Sequence, residues 1–197
     1  MIEIVNISKL KPLELVFPSH LENLSKMLLE SGVIKSPILA DRKTGIVLDG
    51  SHRYIFFLKN GYKNVPVVFV NYEDENIRVG SKLIHRFLID SELNISKDEV
   101  VERGLTGRLF SPRTTRHFFP FRKNEFVNLK LSELEKGDPT DVSRYVANVN
   151  VSDEISHNDM YIEEIEYEID EMIKYMEEVR QTKQYLKKQI NLMKKTN

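Results

Sequence analysis

Apolar positions in the first half of the chain keep two rhythms, and the change from one to the other marks out the elements. IEIVNISKL, from Ile2, has the alternation of a half-buried strand, which Lys11-Pro12 ends. From Ser19 to Ser31 the spacing becomes helical, with Leu21, Leu24, Met27 and Leu28 on one face and Gly32 as the closing glycine. SPILADRKTGIVLDG predicts two short strands around a Lys43-Thr44-Gly45 turn. A second helix, Ser51–Asn60, turns Ile55 and Leu58 inward and is capped by Gly61. PVVFV, within Val65–Val70, is a β-branched run suited to a strand buried on both faces.

Beyond Asn71 the pattern weakens. It predicts a helix over Ile77–Ile89 with Ile77, Leu83, Ile84 and Phe87 inward, and a short helix begun by Ser96 with Asp98 and Glu99 in its first turn. SPRTTRHFFPF, with two prolines, reads as a loop, and NLKLSEL as a last short strand or turn. There is no internal repeat. The expectation for residues 1–137 is an α+β domain, a small mixed sheet with flanking helices.

Residues 138–157, rich in Asn, Asp and Ser, read as a linker, and residues 158–197 as one long helix. Ile162, Ile165, Ile169, Met172, Met176, Val179, Leu186, Ile190 and Met193 keep a 3–4 spacing, interrupted only by Lys183. Sustained over about 31 residues, the seam is ~47 Å long and narrower than the face of an ordinary globular helix. It predicts a coiled-coil-like pairing, although a helix lying on its own domain could be equally long. The first half is acidic, Glu163 to Asp170, and the second basic, Lys183 to Lys195. An antiparallel pair would set Glu163, Glu164 and Glu168 opposite Lys187, Lys188 and Lys194, so the expected assembly is a homodimer through this helix.

Composition narrows the chemistry. With 197 residues and 41% hydrophobic content the chain can bury one ordinary core, or two small ones at most. It has no apolar run long enough for a membrane helix and no signal-peptide pattern at Met1-Ile2-Glu3, so a cytoplasmic protein is expected. The absence of cysteine removes thiol catalysis, disulfides, zinc-thiolate sites and iron–sulfur clusters, and histidines at metal-ligand spacing are missing. The net charge of −1 hides an asymmetry: residues 1–137 carry 21 Lys/Arg against 17 Asp/Glu, and residues 138–197 carry 8 against 13. From Gly104 to Asn124 there is no acid, while Arg108, Arg113, Arg116, Arg122 and Lys123 fall there, a candidate anion site.

LDGSHR, at the junction of strand and helix, is the most informative stretch. The first turn of a helix offers unpaired N–H groups and a positive dipole end, Gly50 lets backbone approach a phosphate, and Arg53 can reach one with a forked donor. Asp49, just outside, could hold Mg²⁺ or orient His52. Asp49-Gly50 would also serve a tight turn with Ser51 as helix cap, but a cap needs neither His52 nor Arg53 where cations oppose the dipole.

GIVLDGSHR, with the helix and the PVVFV strand after it, resembles the nucleotide-binding core of the ParB/sulfiredoxin-like superfamily. Sulfiredoxin activity needs a cysteine where this chain has Ser51, and no helix-turn-helix module of the ParB type follows the core. The archaeal, ADP-dependent free L-serine kinases are more similar. They carry Lys-Pro-x-Glu, DGxHR and Ser-Pro-Lys-Thr-Thr-Arg-His segments, matched here by KPLE at Lys11–Glu14, DGSHR at Asp49–Arg53 and SPRTTRHFFPF at Ser111–Phe121.

The resemblance implies a kinase that phosphorylates the hydroxyl of a small free metabolite, L-serine or a related hydroxylated acid, with ADP or ATP as donor and Mg²⁺ on Asp49. Glu14 and His52 would be catalytic, Glu14 as the base that takes the hydroxyl proton. Asp49, Gly50, Ser51, His52 and Arg53 would bind the nucleotide; Ser81, Thr114, Thr115, Arg116 and His117 would bind the acceptor. Under this reading no nucleic-acid or membrane partner is expected.

Two departures bear on the acceptor: the segment between the core and SPRTTRH is short, and Ser81-Lys82 replaces a Thr-Trp pair against the amino acid, with Trp absent altogether. Lys82 would suit an acceptor with an additional negative group. His85-Arg86 reads as structural, and His20 and His157 are given no role. The alternatives are a non-catalytic ParB-like nucleotide- or DNA-binding regulator with the long helix as dimer element, and an adaptor whose core has lost its chemistry.

Overall fold

The computed structural model describes residues 1–81, 94–121 and 127–196. Its centre is a four-stranded mixed sheet. β1 (Ile2–Asn6) pairs antiparallel with β5 (Asn64–Val70), β5 runs parallel to β3 (Ile38–Asp41), and β3 takes β4 (Val47–Asp49) antiparallel on its far edge. The alternation of side chains along β5 divides the interior in two. Val65 and Val67 enter one core with Leu21 and Leu28 of α1 (Pro18–Ser31) and Ile55, Phe56 and Phe57 of α2 (Ser51–Lys59). Val68 and Val70 enter the other, with Leu39, Leu48, Phe110 and Val100 of α3 (Lys97–Thr106).

Helix ends follow local chemistry. Gly32 closes α1 at φ 65° with its N–H on Leu28 O, and Ser96 opens α3 by accepting the Glu99 N–H. α2 differs from its expected cap: Gly50, at φ 98°, occupies the cap position, and no side chain, Ser51 included, bonds the first turn. Short ladders β2 (Val33–Ile34) with β8 (Leu129–Lys130), and β6 (Arg78–Gly80) with β7 (Arg116–Phe118), complete the sheet structure. The second ladder corrects two expectations. Residues 78–80 are strand where a helix over Ile77–Ile89 was expected, and RHF within SPRTTRHFFPF is strand rather than loop. Three-residue strands are too short to show an alternation, so their pairing across 36 to 40 positions decides their state. From Lys82 on, the expected helix lies outside the described residues, as do His85-Arg86.

The long helix, α4 (Val151–Thr196), has 46 residues and starts inside the stretch expected to be a linker. Asn150 caps it by accepting the Asp153 N–H at 2.8 Å, with Asp153 and Glu154 in the first turn. The arm before it packs on the domain: Val142 and Ala147 are buried, and Val16 donates its N–H to Tyr145 O and accepts the Ala147 N–H at its own O, a strand-like bridge to Val146.

The helix then behaves as two halves. Up to Met172 one stripe, including Glu154, Asn158, Tyr161, Ile165 and Glu168, is turned from solvent, and Glu154 and Glu168 are fully buried. From Ile173 to Lys194 every side chain but Gln189 is exposed, Met176, Val179, Leu186, Ile190 and Met193 among them. The continuous seam expected from the sequence is therefore divided, with Ile165 and Met172 against the protein and the distal apolar residues open. No described helix is long and apolar enough to cross a membrane.

Candidate functional site

One cavity of about 320 Å³ lies over the start of α2. β4 delivers Asp49 to its rim, and the left-handed turn at Gly50 puts Ser51, His52 and Arg53 along its floor. Gly50 is favoured by its φ, and a Cβ there would also lie 2.7 Å from Arg53 Nη2 and displace the guanidinium. The Arg53 guanidinium thus covers the turn, 3.6 Å from the Asp49 carboxylate, and its Nε is buried without an acceptor. An uncapped helix start, a close-lying backbone and a buried arginine with an unused donor suit a phosphate.

Glu14 reaches the same cavity through backbone pairing. Lys11 bridges to Ile46 beside β4, and Leu15 N–H and Leu13 O both bond Phe110, so the KPLE segment is clamped between β4 and the 110–116 loop. Thr115 then donates to Glu14 Oε1 from both its backbone N and its Oγ1, each at 2.6 Å. Burial pushes Glu14 up to about 7 against these hydrogen bonds, and the Asp49 charge adds to the rise. A carboxylate poised near neutral pH can accept a proton from an alcohol in reach.

His52 is tied down. Its Nε2 accepts the Phe17 N–H at 3.2 Å, its ring packs on His20 with centroids 4.2 Å apart, and burial with nearby His20, Arg113 and Arg53 pulls it down to about 3. So placed, it accepts a hydrogen bond from the entry to α1 while it lines the cavity.

The expected acceptor residues separate. Thr115 and Arg116 line the cavity. Thr114 turns its hydroxyl onto Ser111 O, and Ser81 bonds the Asn94 side chain; neither lines the cavity. His117 points the other way, because successive residues of β7 face opposite sides: it is buried and meets the Tyr72 hydroxyl at 3.0 Å. Lys82 lies outside the described residues.

Three lining residues were not singled out from the sequence as a group: His20, Arg113 and Tyr161. Arg113, at φ 60°, is the one described non-glycine residue with positive φ, and its guanidinium stands 5.1 Å from the Tyr161 ring. A basic residue inside the acid-free run was a partial signal for Arg113. Tyr161 lies in a helix 48 positions further on and gave none. Among the described residues there is no cluster of three or more His, Asp or Glu side chains that would form a self-contained metal site. The Asp49 carboxylate, beside the start of α2, fits a Mg²⁺ that arrives on a nucleotide, which takes one or two carboxylates plus phosphate oxygens.

Comparison with known proteins agrees with this architecture. No protein-family model matches the chain. It is 31% identical over 106 residues to an ATP-dependent L-serine kinase of Staphylothermus marinus, a match covering 52% of this chain and 41% of that protein. A ParB-like protein of Sulfolobus acidocaldarius is 34% identical over 44 residues, 22% of each chain. The chain thus spans less than half the length of the curated relatives it matches. Among solved structures, free serine kinase superposes in its complexes with ADP, as a variant, and with AMP. The TM-scores are 0.58 and 0.57 at 18% identity, covering 68% of this chain and 94% and 93% of those. The chain has a serine-kinase-like fold.

Proposed function

We propose that this protein is a nucleotide-dependent kinase that phosphorylates the hydroxyl of a small free acid, with L-serine the first acceptor to try. The observation that carries the reading is the position of Glu14: a carboxyl pushed up to about 7 shares one 320 Å³ cavity with the Asp49–Arg53 turn. The similarity to an ATP-dependent L-serine kinase supports it.

In this reading the start of α2 and Arg53 hold the nucleotide phosphates, and Asp49 holds Mg²⁺, whose part is to neutralise phosphate charge. Thr115 fixes the Glu14 carboxylate, and Arg116 takes the acceptor's acid group. The acceptor hydroxyl oxygen attacks the terminal phosphorus while Glu14 accepts its proton; the bond to the bridging oxygen breaks and the shortened nucleotide leaves. ATP would yield ADP, and ADP would yield AMP. His52 takes no proton and keeps the Phe17 turn in place.

Incubation with ATP or ADP, Mg²⁺ and a panel of hydroxylated amino acids and sugars is expected to yield a phosphorylated acceptor by mass. No transfer from either nucleotide to any of them overturns the kinase reading. In that outcome the short ParB-like similarity would favour a nucleotide-binding regulator.

The exposed half of α4 supports a further proposal, a homodimer. Its apolar residues are self-complementary about Lys183: antiparallel pairing sets Ile173 by Met193, Met176 by Ile190 and Val179 by Leu186, with Glu178 opposite Lys188. Glu168, expected to join such an interface, is engaged within its own chain. The full-length protein should be a homodimer by light scattering, and the double variant Met176→Glu, Ile190→Glu a monomer. A monomeric parent, or a dimer that tolerates both charges, rejects this interface.

A further inference from the structure

Among the described residues, the α4 side chains that hydrogen-bond the domain, Glu154, Asn158 and Glu168, each bond an element of the cavity. Glu154 accepts from the Ser19 and His20 N–H groups at 3.1 and 3.3 Å, closing the start of α1. Asn158 takes the Arg113 guanidinium, the Tyr161 ring lies 4.6 Å from the Arg116 guanidinium carbon, and Glu168 Oε2 meets Arg116 Nη1 at 3.1 Å. A helix docked only for stability would place apolar residues alone there. This one adds two buried carboxylates to Ile165 and Met172, and their desolvation is costly.

The contact with Arg116 has an informative geometry. Glu168 engages the guanidinium through Nη1 alone, and Tyr161 covers it as well. Nε and Nη2 are buried, and neither has an acceptor. Those two N–H groups form the side edge of the fork, the edge that binds a carboxylate or phosphate with two parallel hydrogen bonds. A buried arginine held at one end and left open along that edge, in the wall of a cavity, is prepared for an anion.

We propose that α4 is a wall of the acceptor subsite and that Glu168 is a positioning residue: it fixes Arg116 so that the Nε/Nη2 edge meets the single acid group of a small acceptor. Tyr161 holds the guanidinium plane from the side. What the acceptor is rests on the kinase reading; the placement of Arg116 by Glu168 does not.

The test therefore has two independent readouts on the full-length protein. In the ligand-free parent, the Arg116 Nε–H signal in nitrogen-edited NMR should be sharp and slow to exchange with water, and Glu168→Gln should broaden it and speed its exchange. An unchanged signal overturns the proposal whatever the protein catalyses. With L-serine as acceptor, Glu168→Gln should raise the Michaelis constant by about tenfold, the scale of a weakened charge-assisted contact, and spare kcat and nucleotide affinity. Adding it to Arg116→Ala should bring no further rise. Additive losses, or a loss confined to kcat, would mean that Glu168 only docks the helix and would overturn the positioning role. A held NMR signal in a parent that phosphorylates nothing would sink the kinase reading and leave the placement of Arg116 standing.

Discussion

Glu14→Gln should slow phosphoryl transfer on the order of 10²-fold or more, the scale of a lost general base, while nucleotide affinity stays at the parent's value. Gln keeps an oxygen for the two Thr115 donors, so the local geometry survives and only the proton acceptor is lost. The parent's pH profile should report the same group. Glu14 sits at about 7, so kcat/KM should fall as pH drops through that value and the carboxylate takes up its proton.

Stability should run in the opposite direction. The folded protein holds this proton more tightly than the unfolded chain, whose glutamate titrates at 4.5. The associated stability is complete below 4.5, is lost as pH rises to about 7, and stays lost above it. Gln does not titrate here, so the melting temperature of Glu14→Gln should rise relative to the parent's as pH goes from 4.5 to about 7 and hold that gain above it. Unchanged turnover, or a melting difference that does not vary with pH, would remove Glu14 from the mechanism.

The second large effect is on the nucleotide. Arg53→Ala removes a buried guanidinium with an unused Nε donor above the Gly50 turn, and charge-assisted contacts of this kind contribute ~1.5–3 kcal/mol. Affinity for ADP and ATP should fall about 10- to 10²-fold by calorimetry. Asp49→Ala should weaken binding when Mg²⁺ is present and change little when the metal is chelated, since its part is to hold the ion. Parent-like binding by both variants in Mg²⁺ would mean that the start of α2 is not the phosphate site.

Much of this molecule was legible from its residues because the relevant forces are local. β5 announces itself by its β-branched run, α1 by its spacing and Gly32, and α3 by Ser96 with two acids in its first turn. The Asp49–Arg53 junction stood out because two cations at a helix start oppose the dipole and so call for an anion. Glu14 was only one surface-like glutamate after Lys-Pro until resemblance raised it. Nothing near it in the chain reveals that Thr115, 101 positions away, and burial set its protonation.

Local preference therefore determined the sheet, its helices and the phosphate-suited turn by sequence alone. Tertiary structure decided the chemistry of the cavity and the fate of α4. His117 was turned away from the cavity by a three-residue ladder too short to read in advance, and His52 was tied to the entry of α1 by the Phe17 N–H. Glu154 and Glu168 look solvent-exposed in a charged helix, since a lone carboxylate avoids burial. They are buried because the start of α1 and Arg116, 135 and 52 positions away, supply the compensating donors. Charge pairing across such separations has no periodic trace in the chain, and only the folded protein brings the partners together.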